Sequence, residues 1–363
     1  MANNLARRLS SEIQNQKAKI TMLSASDRHM YQPGLLYVAF GEMMPDELYR
    51  DQKGLLEPSI DFHVDPVEKF ELDSNKVITK AGKTYDYDIL VIGTGSRVMP
   101  KKVPGLEEGA ESFYTEEGAV QLFKKLREFE GGKIGIVVGV PHKCPIAPVE
   151  AVFALHEYFV KRGIRDKVEI KYNYPINRIH SIENVAKWAK PEFDRMGIIY
   201  ETLFNVEEVD VENKVVKSLE GSEYAYDLLI SVPEHHGMGV IEDNDLGTAG
   251  WIPTDRHSLT MNGHDNVYVL GDTTNLPVSK TGSAAHFQAE VVAENIASIT
   301  KIGTPVKDYD GKVYCFIEAG NEKSTYAMFN YENPPDLREA NKSMHWLKMG
   351  YNKMYWTSVR GLL

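Results

Sequence analysis

Cysteine is scarce in this chain of 363 residues, with only 2, Cys144 and Cys315. Two thiols cannot staple a small secreted domain, and they cannot form a four-thiolate zinc site. No metal site is expected. Long apolar runs are also missing: none approaches the ~18 residues that a spanning helix needs. The opening Met-Ala-Asn-Asn-Leu-Ala-Arg-Arg has no apolar stretch of signal-peptide type. Positive charge is in deficit, with Lys plus Arg at 41 against Asp plus Glu at 52, a net charge of −11. That balance argues against nucleic acid, which needs a basic surface to replace phosphate counterions. No repeat of solenoid length is visible. The chain reads as a protein of a reducing compartment on the cytoplasmic side, with peripheral membrane attachment left open.

What is present is ordinary globular composition, 42% hydrophobic and 26% charged, and a length that suits two domains. Leu5, Leu9 and Ile13 mark a helix over 3–16. A short buried strand follows at 19–24. This is the second half of a βαβ unit, without its first strand or the G-x-G-x-x-G turn that opens such units. We expect that piece upstream, in a missing N-terminal segment. Strand signals follow at 60–64, 67–72, 76–79 and 84–93. The run from Ile89 to Ile92 is continuous enough for a buried parallel strand. An α/β block comes next: helix 115–128, strand 133–139, helix 148–162, strand 168–172, helix 183–196 and strand 227–232. The pattern returns at Val267-Tyr-Val-Leu-Gly271-Asp272, followed by a helix over 281–299. The expected fold class is α/β, with two Rossmann-like domains, the second inserted in the first, and an amphipathic C-terminal segment.

Two motifs stand out around the insertion. Thr94-Gly95-Ser96-Arg97 directly follows a buried strand, where glycine lets the chain turn sharply beside a ligand. Gly271-Asp272 ends another strand, and an aspartate there suits a sugar or polyol hydroxyl. Lys280-Thr281-Gly282 then opens a helix, whose first turn offers N–H groups and partial positive charge. In this order the motifs resemble the two-dinucleotide-domain flavoproteins of the pyridine-nucleotide–disulfide oxidoreductase superfamily. The resemblance implies FAD, with Thr94 and Gly95 near the flavin and Asp272 on the ribityl chain. Lys280, Thr281 and Gly282 would then stabilise negative charge on the reduced ring. It divides the chain into 1–112 and 241–315 as the two parts of the FAD-binding domain, 113–240 as the second Rossmann-like domain, and 316–363 as the tail. Ser24 stands near the place of the acidic residue that usually binds the adenosine ribose.

The second domain departs from its nucleotide-binding relatives. Where G-x-G-x-x-G would follow the strand, the chain has Gly139-Val-Pro-His-Lys-Cys144-Pro-Ile-Ala-Pro148-Val-Glu150. Pro141 and Pro145 lack both conformational freedom and N–H donors, so a pyridine nucleotide should not bind. This Cys-Pro turn before a helix resembles the sulfide:quinone oxidoreductases and the flavin subunit of flavocytochrome c sulfide dehydrogenase. Cys315 falls where that family's second essential cysteine sits. Many members carry a third cysteine after the Pro-Gly; Tyr114 occupies that neighbourhood here. The resemblance implies that Cys144 and Cys315 form a disulfide or sulfur-bridged pair beside the flavin. Glu150 is then a candidate general base or a helix-start carboxylate. Either cysteine alone would read as a small buried hydrophobe. Both fall in motif context, outside a plain core strand or helix centre. A helix start after Cys144, with His142 and Lys143 beside it, would lower the thiol pKa. His235-His236 lies at a strand end, with at least one of the two expected in an exposed loop.

Residues 338–363 carry Arg338, Lys342, Lys348, Lys353 and Arg360 against the single acid Glu339, together with Trp346 and Trp356. Basic and aromatic residues around apolar ones suit a helix lying in a membrane interface. The implied activity is oxidation of sulfide to zero-valent sulfur, with electrons passing through FAD to quinone. The alternatives are a sulfide dehydrogenase flavin subunit serving a cytochrome, a type II NADH:quinone dehydrogenase, and a flavin-free non-catalytic fragment. A homo-oligomer is left open.

Overall fold

The computed structural model describes residues 1–362. Two Rossmann-like units organise the chain, the second inserted into the first. Helix α1 (Ala2–Arg8) buries Leu5 and Ala6. It breaks at Leu9, and a short helix Ser10–Gln14 continues, where one helix over 3–16 was expected. Ser10 and Ser11 are weak helix formers that compete for backbone groups. Strand β1 (Ile20–Ser24) pairs in parallel with β2 (Ile60–Val64), Ile20 opposite Ile60. An antiparallel meander, Val67–Glu71, Lys76–Thr79 and Thr84–Asp86, follows. The expected strand 84–93 therefore divides: its first part closes the meander, and its second is β3 (Leu90–Ile92).

The chain crosses to the inserted unit through β4 (Ser96–Val98). Helix α2 (Glu116–Glu128) is capped by the Thr115 hydroxyl, which accepts the Gly118 N–H at 3.1 Å. The α/β block then runs β5 (Gly132–Val138), α3 (Ala147–Lys161), β6 (Val168–Tyr174), α4 (Glu183–Arg195), β7 (Ile199–Thr202) and β8 (Leu228–Val232). Its sheet is fully parallel in the order β7-β6-β5-β8. Ile134 and Ile136 of β5 face Ile170, Tyr172, Leu228 and Ile230 across the ladder. Helix α3 lays Val149, Val152, Phe153, Leu155 and Phe159 on this sheet, all fully buried. Covering both faces of a parallel sheet requires such continuous apolar strands.

The return crossover is β9 (His235–Gly237), antiparallel to β4 with His236 opposite Arg97. Strand β10 (His264–Val269) pairs in parallel with β3, Val267 opposite Leu90 and Val269 opposite Ile92. Helix α5 (Gly282–Ile302) follows, capped by Thr281 and ended by Gly303 at φ +80°. Among the described residues β1 pairs only with β2, and β3 only with β10. Yet Ile20 and Val91 pack in one apolar cluster with Leu5 and Leu9, and Leu23 and Leu90 share another. The parallel sheet of the first unit thus comes as two strand pairs sharing a core, with no strand joining them.

The C-terminal region opens with the hairpin β11 (Val313–Glu318) and β12 (Ser324–Phe329). Cys315 lies inside β11, opposite Ala327, where a loop was expected. The strand runs across the expected division at 315/316. Alternating Val313, Cys315 and Ile317 against Tyr314 and Phe316 have the period of a strand. Helix α6 (Lys342–Lys353) is capped by Asn341, whose Oδ1 accepts the Met344 N–H at 3.0 Å. Its exposed face carries Trp346, Leu347 and Tyr351. Lys348, expected at a membrane interface, points inward and is buried. No helix among the described residues is long and apolar enough to cross a membrane.

Candidate active site

The cleft forms where β3 and β10 both end. Thr94 Oγ1 lies 3.1 Å from Thr273 Oγ1, and Ser96 Oγ donates to Asp272 Oδ2 at 3.3 Å, tying the two strand ends together. Gly95 has φ +78°, and a side chain there would meet nothing within 4 Å. Gly271, at φ +76°, is also in the left-handed region, and its N–H donates to Gln288 Oε1 at 2.7 Å. Gly282, at the start of α5, likewise faces open space. Burial raises the Asp272 carboxyl above its ordinary range, against the opposing pull of Lys143 and Lys280. Lys280 lies beside this turn. Its ammonium donates to the Asp272 and Thr274 carbonyls and lies 4.0 Å over the Trp251 ring. Those contacts occupy its donors and brace the 271–274 turn. Burial lowers its pKa to about 8.

Cys144 enters from the inserted unit. Its N–H donates to the Lys280 carbonyl at 2.7 Å, joining the cysteine loop to the start of α5. Cys315 arrives on β11 beside Thr281 and Ser283, whose hydroxyls oppose the effect of its burial. Both thiols are free. Burial pushes each up to about 12, and for Cys144 the neighbouring Cys315 and Glu150 add to the rise. The expected low thiol pKa is therefore overturned: desolvation outweighs the helix start. His142 lends no positive charge, because burial lowers it to about 4. Lys143 donates to Gln32 Oε1 at 2.9 Å. Burial lowers its pKa, with Asp272 and Cys144 opposing.

Glu150 lies on the first turns of α3 but is not a free carboxylate. Its Oε1 accepts from Lys348 Nζ at 2.6 Å and from the Glu318 N–H at 2.7 Å. Glu318 in turn approaches Lys348 at 3.4 Å and accepts from Ser324 Oγ at 2.8 Å, with His345 Nδ1 at 2.9 Å. Burial alone would lower the Lys348 ammonium, but Glu150, Tyr37 and Glu318 hold it above the ordinary lysine value. This network joins α3, the cysteine strand β11 and α6. Of His235 and His236 neither is exposed. His235 is fully buried, and His236 lies 2.9 Å from Glu242 and 3.1 Å from Glu234 through its two ring nitrogens.

The loop that would cradle a pyrophosphate has few free N–H donors. The Gly139 N–H donates to the Val232 carbonyl at 2.7 Å, the Cys144 N–H is engaged by Lys280, and Pro141 and Pro145 have none. A Cβ on Gly139 would lie 2.7 Å from the Glu234 nitrogen.

The pyridine nucleotide-disulphide oxidoreductase family profile matches residues 2–289. The mitochondrial sulfide:quinone oxidoreductase of Dictyostelium discoideum is 30% identical over 349 residues, 90% of this chain and 75% of that protein. The chain belongs to the sulfide:quinone oxidoreductase family. The mouse mitochondrial sulfide:quinone oxidoreductase is 27% identical over 348 residues, 92% of this chain and 76% of that one. The X-ray structure of the Aquifex aeolicus sulfide:quinone oxidoreductase shares the fold, with a TM-score of 0.86 at 23% identity over 99% of this chain and 89% of that chain.

Sulfide:quinone oxidoreductases are FAD-binding flavoproteins, and the residues at these strand ends suit that cofactor. A Cβ at Gly95 or Gly282 would meet nothing within 4 Å, so neither position is filled by the chain itself. Half-buried Asp272, bonded through its side chain only to Ser96, suits a polyol hydroxyl.

Proposed function

We propose that this chain oxidises sulfide to zero-valent sulfur and passes the electrons through FAD to a quinone. Family membership supports the overall reaction. The observation that carries the finer reading is the meeting of the only two cysteines at the start of α5, one from the inserted unit and one from the C-terminal hairpin. FAD, when bound, supplies the two-electron acceptor.

The working form of the pair is the Cys144–Cys315 disulfide. Hydrosulfide attacks one sulfur; the S–S bond breaks, that cysteine becomes a persulfide and the other leaves as thiolate. A second hydrosulfide takes the outer sulfur, releasing disulfide anion and the second cysteine. Closing the disulfide again gives up two electrons. The sum is two HS⁻ to HS₂⁻, one proton and two electrons. With both cysteines at about 12, a protein thiolate is rare at neutral pH. The attacking anion is therefore the hydrosulfide, and the Lys143 ammonium beside Cys144 favours its entry. The paired Glu150 then holds α3, β11 and α6 together at the site.

Trp346 and Leu347, 65% and 51% exposed, together with Tyr351 and Met354 form an apolar face beside the hairpin. This face supports peripheral attachment to a membrane, where a lipid-borne quinone resides.

Cys144→Ser and Cys315→Ser each should lower sulfide-dependent quinone reduction by roughly a hundredfold or more, with folding preserved. The check is steady-state quinone reduction beside far-UV circular dichroism. Near-normal turnover in both variants would remove the cysteine-pair reading.

A further inference from the structure

Cys144 adopts φ +49°, in the left-handed region. A residue with a Cβ is disfavoured there, so the conformation persists only where the surroundings impose it. Two backbone bonds do part of this: the Cys144 N–H to the Lys280 carbonyl at 2.7 Å, and the Ala147 N–H to the Cys144 carbonyl at 2.9 Å. A third constraint comes from a side chain elsewhere in the chain. Tyr114 donates its hydroxyl to the Lys143 carbonyl at 3.0 Å, with the Cys144 carbonyl 3.4 Å away.

Tyr114 is itself firmly seated. It is buried, stacks on Phe113 at 4.9 Å and meets His235 edge-on at 4.8 Å. Burial raises its pKa well above the ordinary tyrosine value, so the hydroxyl remains a donor. Nothing in packing alone requires that hydroxyl, because phenylalanine would fill the same space.

We propose that Tyr114 is a positioning residue whose hydroxyl fixes the Lys143–Cys144 peptide, holding the Cys144 thiol where it can pair with Cys315. The proposal rests on the reading of Cys144 and Cys315 as the redox pair. Without the hydroxyl the peptide rotates more freely, and the two sulfurs spend less time within bonding distance. Phe113 provides the contrast, since it contributes ring packing but no bond to the loop.

The test is a thiol–disulfide equilibrium on the full chain. Reduced protein is mixed with graded ratios of oxidised and reduced dithiothreitol, and free thiols are trapped by alkylation and weighed. In the reaction Cys144 and Cys315 lose two protons and two electrons as their S–S bond forms, and the cyclic dithiothreitol disulfide opens to the dithiol. Tyr114→Phe should shift this equilibrium toward the dithiol by about tenfold, the scale of one hydrogen bond, with little change in melting temperature. Tyr114→Leu should show the same shift with a lower melting temperature. Phe113→Leu should lower the melting temperature and leave the equilibrium unchanged. An equilibrium within twofold of wild type in both Tyr114 variants overturns the proposal. A wild-type chain that forms no Cys144–Cys315 disulfide at any ratio overturns the redox-pair reading itself, and this proposal with it.

Discussion

Lys348 Nζ lies 2.6 Å from Glu150 Oε1, in a pair whose side chains are 10% and 12% exposed. The two residues are 198 positions apart. Their contact fastens the C-terminal helix to the helix that follows Cys144. Glu318, on the strand that carries Cys315, completes the network through both its backbone N–H and its carboxylate. The tail is therefore part of the cysteine site's framework as well as a surface feature.

Removing one partner should cost far more than removing both. Lys348→Met leaves the Glu150 and Glu318 carboxylates buried together without their cation, and should destabilise the chain by about 3–5 kcal/mol. Adding Glu150→Leu should recover part of that loss, because only Glu318 then lacks the cation and it keeps Ser324 and His345 as partners. Urea denaturation of the two singles and the double gives the coupling. Additive losses would show that the pair is weakly coupled.

The apolar runs of β5 and β8 were legible because a parallel sheet buried on both faces forces continuous apolar sequence. The helix starts near Thr115 and Thr281 and the strand ends at Gly95 and Asp272 were legible for local reasons too. Cys315 was misplaced in a loop, although the alternation from Val313 to Ile317 carries the strand period. Lys348 was misread because its partner is remote in sequence. The inward stripe of His345, Lys348, Met349 and Asn352 has helical spacing, so its amphipathic pattern was visible while its orientation was not. The high thiol pKa values come from burial that only the assembled fold creates, and no local feature of the cysteine loop announces it.

Membrane attachment should depend on the exposed residues of α6 and be indifferent to the buried ones. Replacing Trp346 and Leu347 together with Ala should weaken sedimentation with anionic vesicles at all salt concentrations, because apolar burial is not screened. Lys342→Gln with Lys353→Gln should weaken it mainly at low salt, where surface charge acts over a longer Debye length. Full pelleting of the Trp346/Leu347 variant would place the attachment elsewhere on the molecule.

NADH should fail to bleach the flavin. The Gly139 and Cys144 N–H groups are already engaged, and Pro141 and Pro145 offer none, which leaves the loop few donors for a pyrophosphate. Anaerobic absorbance after mixing with NADH, and separately with sulfide, decides the matter. Rapid bleaching by NADH would point to an NADH:quinone reaction.

Acid should weaken the fold through three buried histidines around the cysteine loop. Burial lowers His142 and His180 to about 4 and His235 to about 3, from an ordinary 6.5. All three are therefore neutral in the folded chain near pH 5, whereas the unfolded chain takes up their protons as pH falls through about 6.5. The unfolded state then binds more protons, so stability is full above that pH and declines below it, until the folded histidines themselves titrate. For His235 alone, linkage gives a loss of about 2 kcal/mol between pH 7 and pH 5. His235 also suits substitution because its Nε2 is buried without a partner, so asparagine forfeits the Nδ1 contact to the Pro233 carbonyl at 2.9 Å and the edge-on ring contact with Tyr114. Urea denaturation of His235→Asn at the two pH values should therefore show a smaller acid loss than wild type, by about that 2 kcal/mol. Equal losses in both proteins would mean that His235 already carries its proton in the native state, and that the pocket beneath the cysteine loop is wetter than its packing implies.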